Sequence, residues 1–108
     1  MRIEISGHQM EVTSALRDYA REKLGRLAKH FDNHLDANVI MSVDKLDHSA
    51  EATLHTPGKT LFANVAASDM YAAIDLLADK LDRLVLKQKE KSKDHHRGES
   101  AARSDSFG

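Results

Sequence analysis

The sequence predicts a two-layer α+β sandwich: a four-stranded sheet with two helices packed on one face, in the order β-α-β-β-β-α. Two observations predict it. Apolar and polar residues alternate through residues 37–67, the period of half-buried strands. Residues 14–30 and 69–92 instead repeat apolar residues at helical spacing. Alternating strands need one covered face and leave one wet face. Two amphipathic helices are the cover. A chain of 108 residues builds one domain with one modest core.

The elements follow in order. Arg2 to Ser6 alternates and reads as a short strand, punctuated by Gly7-His8. Thr13 suits the N-cap of a helix from Ser14 to His30. Its stripe is Leu16, Ala20, Leu24, Leu27 and Phe31, with Gly25 inside it at a cost of ~1 kcal/mol against Ala. The next strand, Ala37 to Leu46, turns Val39, Met41 and Val43 inward, and Asp47-His48 is the turn candidate. Ala50, Ala52 and Leu54 face inward on the third strand, with Glu51, Thr53 and His55 outward. Thr56-Pro57-Gly58-Lys59 has turn chemistry, proline at the second position and glycine at the third. Leu61, Ala63, Val65 and Ala67 face inward on the last strand. Ser68 or Asp69 caps the second helix, whose core stripe is Ile74, Leu77, Leu81, Leu84 and Val85. The predicted division is a domain over 1–92 and a flexible tail over 93–108, where Phe107 is the single large apolar residue.

Charge is balanced overall, 16 Lys+Arg against 17 Asp+Glu, which argues against a bulk nucleic-acid condenser. The pattern is what matters. On the second helix Lys80, Arg83, Lys87 and Lys91 span only about 80° of arc. Asp75, Asp79 and Asp82 fall on another side, expected to be wet and turned away. The first helix carries Tyr19, Lys23, Arg26 and His30 at i, i+4, i+7 and i+11. Helices lying side by side would join the two basic faces into one electropositive surface. Charged helix faces are more often merely solvated, and cations near a helix C-terminus also complement its dipole.

Other chemistries find little support. The absence of cysteine removes disulfides and thiolate zinc sites, and fits a cytoplasmic protein. Seven histidines show no ligand spacing, so no metal and no cofactor is expected. The sequence holds neither phosphate-binding glycine motif and no nucleophile elbow, and is not read as an enzyme. Phe62 is the sole outward aromatic on the sheet, against the several that stack bases in an RRM, and no G-x-x-G loop of the KH type occurs. RNA contact is therefore expected from the helices, mostly to phosphate. Met1-Arg2-Ile3-Glu4-Ile5 is too charged for a signal peptide, and no apolar run approaches the roughly 20 residues of a membrane span.

Ile3-x-Ile5-x-Gly7 and Thr13-x-x-Leu16-Arg17-x-Tyr19-x-x-x-Lys23-Leu24-x-Arg26-Leu27 resemble the ribosome hibernation promoting factor family, which includes the ribosome-associated inhibitor A proteins. Glu51-Ala52-Thr53-Leu54-His55, Asp69-Met70-Tyr71-Ala72-Ala73-Ile74-Asp75 and Asp79-Lys80-Leu81-x-Arg83 are similar to its later motifs. The resemblance covers about residues 1–92. It implies the same β-α-β-β-β-α fold and binding to ribosomal RNA of the small subunit, across the paths of messenger and transfer RNA. The residues matching the basic helix motifs are Lys23, Arg26, Lys80, Arg83, Lys87, Lys89 and Lys91. One departure is Arg83-Leu84-Val85, where relatives commonly read Arg-Gln-Leu. Residues 93–108 are too few for the dimerisation domain of long members. The resemblance therefore implies a short form of the hibernation-promoting branch, monomeric when free and acting with a separate ribosome modulation factor. The alternative is a regulator of the sigma-factor modulation type, whose basic face meets an acidic protein.

Overall fold

The predicted alternation resolves into a single mixed sheet whose strands lie in sequence order. The computed structural model describes residues 2–31 and 35–97, with side chains described over 2–30 and 35–88. The elements are β1 (Arg2–His8), α1 (Ser14–Gly25), a 3₁₀ helix (Arg26–Phe31), β2 (Asp36–Asp44), β3 (Asp47–Thr56), β4 (Lys59–Ala67) and α2 (Met70–Arg97). Strand β1 pairs with β2 in parallel, and β2–β3 and β3–β4 are antiparallel. The parallel pair requires a crossover, which α1 supplies.

Register follows the apolar alternation. Ile5, Val39, Ala52 and Ala63 stand in one row across all four strands. Met41 lies beside Ala50, which lies beside Val65. These residues point to one face, where α1 contributes Leu16, Ala20 and Leu24 and α2 contributes Ile74, Leu77, Leu81 and Val85. The small alanines of β3 and β4 let the helices approach the sheet. The opposite face carries Glu4, Ile40, Thr53, Phe62 and Asn64 and is open.

Several boundaries differ from the expectation. Strand β1 continues through Gly7 and His8, which pair with Met41 and Ser42. A Cβ added at Gly7 would collide with the Met10 carbonyl, so the position accepts only glycine without a backbone shift. The first helix is α-helical only to Gly25 and then tightens to 3₁₀ winding. That winding sets Leu24 and Leu27 in line at i and i+3, and both are buried together with Ala28. The β2–β3 turn is Lys45-Leu46, not Asp47-His48, which already belong to β3. Once Val39 sits opposite Ala52 and Met41 opposite Ala50, only Lys45 and Leu46 remain to join the strands. Lys45 accordingly takes a left-handed φ of 60°, which costs a residue with a Cβ about 1–2 kcal/mol. The Pro57-Gly58 turn is as expected, with Gly58 at φ 87°. The proposed 92/93 boundary falls inside α2, which runs to Arg97, and the rest of the expected tail lies outside the described residues.

Leu77 is 0% exposed at the centre of the core. Leu77→Ala should therefore cost about 2–5 kcal/mol. A thermal melt is expected to drop by about 8 °C or more, at roughly 4–8 °C per kcal/mol for a domain of this size. Gly7→Ala should lower the melt as well, because its methyl group would meet the Met10 carbonyl.

Candidate nucleic-acid interface

One side-chain cap fixes the start of each helix. The Thr13 hydroxyl accepts a hydrogen bond from the Leu16 amide at 3.2 Å, and the Asp69 carboxylate accepts one from the Ala72 amide at 2.9 Å. Arg17 donates to the Ile5 carbonyl at 2.9 Å and ties α1 to β1. The sheet topology then makes α1 and α2 run side by side in the same direction.

Their contact is aromatic and ionic. The Tyr19 and Tyr71 rings meet edge to face, 5.0 Å apart at 77°. The Tyr19 hydroxyl donates to Asp75 Oδ1 at 2.7 Å. Lys23 lies 3.7 Å from the same carboxylate oxygen and 5.3 Å above the Tyr19 ring. Further along, His30 Nε2 is 3.4 Å from Asp82 Oδ1. A groove of about 480 Å³ runs between the helices, lined by Lys23 and Arg26 on one wall and Asp75, Asp79 and Asp82 on the other.

This overturns the expectation that the acids of α2 turn away from α1. They face it, so the two basic stripes do not merge. A row of carboxylates separates them. Both rows share one spacing, 19, 23, 26 against 75, 79, 82. That shared spacing is the sequence signal for the pairing.

The remaining cations lie on the far flank of α2. Lys80 donates to the Asn64 carbonyl on edge strand β4 at 3.3 Å. Arg83, 76% exposed, pairs with Asp79 one turn earlier at 3.0 Å. Lys87 is exposed. Lys89 and Lys91 occupy positions further along α2, and their side chains lie outside the described residues. Lys23 is only 29% exposed and Arg26 is exposed at the groove mouth. His48 sits on the inner side of β3 and His55 on the outer. Among the described residues no three potential ligands gather as a metal site, and no helix is long and apolar enough to cross a membrane.

The domain's fold is that of ribosomal interface proteins. It superimposes on the N-terminal domain of Protein Y from Thermus thermophilus with a TM-score of 0.77 and 35% identity, covering 82% of this chain and 99% of that one. A ribosomal subunit interface protein from Coxiella burnetii matches with a TM-score of 0.78 and 30% identity, covering 83% and 99%. At the sequence level, the ribosome hibernation promoting factor of Azotobacter vinelandii is 54% identical over 94% of this chain and 95% of its own length. The factor of the same name from Escherichia coli K12 is 41% identical over 88% and 100%. Residues 3–93 match the family described as Sigma 54 modulation protein / S30EA ribosomal protein, and the chain belongs to that family.

The Tyr19 phenol is held above its ordinary value of 10.0, first by the hydrogen bond to Asp75, then by partial burial and the negative charge of Asp75 and Glu22. Its folded pKa exceeds its unfolded one. The contact's contribution is thus fully present below pH 10 and is lost as pH rises through the folded value. In a Tyr71→Phe background, phenolate absorbance should titrate above pH 10, and Asp75→Asn should move it back down. A titration unmoved by Asp75→Asn would break the assigned contact.

Proposed function

We propose that this protein is a ribosome hibernation factor that occupies the messenger and transfer RNA channel of the small ribosomal subunit, silencing ribosomes under stress or in stationary phase. The observation that carries the reading is the exposed run Lys80, Arg83 and Lys87 on the outer flank of α2, in a chain of this family. Lys89 and Lys91 extend the run along the helix, and Lys23 and Arg26 add the cations of the groove. Lysine meets phosphate as a point charge, and Arg83 and Arg26 add forked hydrogen bonds. To bind, Lys80 gives up the Asn64 carbonyl and Arg83 gives up Asp79. Both contacts are surface-exposed, so the cost is small. Phosphate contacts give affinity and position without reading sequence, and the shape of the channel supplies specificity. Occupancy alone blocks translation, so no catalysis is needed. The protein acts in the cytoplasm as a monomer before binding, and a separate ribosome modulation factor is its partner in pairing ribosomes.

The name Sigma 54 modulation protein in the family description favours one alternative. In it the same cations meet an acidic transcription factor.

The test is co-sedimentation with purified small subunits over a range of salt. Replacing Lys80, Arg83 and Lys87 with Ala should flatten the log–log salt dependence by up to about three units, roughly one per lost phosphate contact. The fold should survive, because the three side chains point away from the core. Pre-bound transfer RNA and message should compete. Unaltered affinity in the triple variant, or factor and transfer RNA bound together, overturns the ribosomal reading. Binding to a sigma-type factor that the triple variant loses would then support the alternative.

A further inference from the structure

The carboxylate row between the helices has no part in binding phosphate, yet it sits at the centre of the basic surface. We infer that Asp75, Asp79 and Asp82 act as internal stand-ins for phosphate and determine which polyanions the helices accept. The inference rests on the proposed binding to ribosomal RNA.

Each carboxylate holds a group on its own protein: Asp75 holds Lys23 and the Tyr19 hydroxyl, Asp79 holds Arg83, and Asp82 faces His30. Across the two helices the charges run positive, negative, positive: Lys23 and Arg26, then the three aspartates, then Lys80, Arg83 and Lys87. A single phosphate strand laid along the groove exchanges one anion for another at Lys23. It also brings its own charge against carboxylates that stay where they are. The exchange gains little, because an exposed ion pair of this kind contributes almost nothing on its own.

A partner with two phosphate ridges is treated differently. One ridge meets the cations of α1 and the other meets the outer flank of α2, while the carboxylates fall between them. There a folded RNA presents 2′-hydroxyl and base amino donors, which a carboxylate accepts. The surface therefore selects folded RNA with paired backbones and rejects a lone strand. Charge on the row suppresses the non-specific attraction that a uniformly basic face would have.

The experiment compares Asp75→Asn/Asp79→Asn/Asp82→Asn with the parent protein on two probes, poly(U) and purified small subunits, across a salt series. Poly(U) affinity should rise about tenfold at 0.1 M salt. Its salt slope should steepen by about 1.4, the single-strand value for two newly available cations, Lys23 and Arg83. Small-subunit affinity should rise less than threefold, so the ratio of the two affinities collapses. Asp79→Asn alone touches only a surface pair and should fold as the parent does; it should give about half the change in slope. Unchanged poly(U) binding in the triple and the single variant overturns the inference. An equal rise on both probes overturns it too, since the acids would then lower affinity without selecting. The poly(U) arm still reads the carboxylates in a protein that ignores small subunits, so this inference and the ribosomal reading fail separately.

Discussion

One-sided burial is the constraint from which the rest of the molecule follows. The sheet has four strands and two helices to cover it, all on the same face. With so few layers, most of the largest fully buried side chains come from α2 and the strands beneath it, and α1 adds Leu24. Leu54, Met41 and Val39 on the strands and Ile74, Leu77, Leu81 and Val85 on α2 are all essentially inaccessible to water. A helix committed so fully to the core on one side has its remaining arc fixed as well. The rotation that buries Leu77 and Leu81 turns Asp75 and Asp82 toward α1 and Lys80 toward β4. Packing and electrostatics are not separate designs in this domain. The first dictates the second.

The same logic shows what the sequence could reveal. Strand faces were legible because Ala50, Ala52 and Leu54, or Leu61 and Ala63, have no partner pattern except period two. Caps at Thr13 and Asp69 were legible because their side chains act within three residues of themselves. Features set by distant contacts were not. Gly7 reads as punctuation locally, but pairing with Met41 keeps it in the strand. Gly25 and Arg26 read as continuing helix, but the chain tightens to 3₁₀ winding from Arg26, with Leu27 and Ala28 both buried. The β2–β3 turn was misplaced because register, not turn chemistry, chose its residues.

Within the candidate site, helical periodicity groups the cations of α2, but the arrangement between the two helices is not legible in the sequence. Lysines and arginines sharing one side of α2 follow from helical periodicity alone. Their relation to α1 does not, because it depends on which flank of each helix meets the other. Tyr19 is the residue whose importance was most hidden. In the sequence it stands only at the head of the basic stripe of α1; in the fold it touches Tyr71, Asp75 and Lys23 at once. No local rule identifies a residue whose three partners lie on two helices.

The length of α2 has a consequence of its own. It spans 28 residues, about 42 Å at 1.5 Å per residue. Strand β4, along which it runs back, has 9 residues, about 30 Å. Gln88 already reaches Thr56 at the β3–β4 turn, so the final turns of the helix extend beyond the end of the sheet. The helical positions of Lys89 and Lys91 thus lie on a projecting spoke. A spoke carries charge away from the body without the freedom of a loose tail. Ordering a flexible segment on contact costs about 1–2 kcal/mol of backbone entropy per residue, and residues already wound into helix have met that cost in the free protein. Reach and stiffness are combined in one element, because the far end of the helix is held in direction by the turns packed on the sheet.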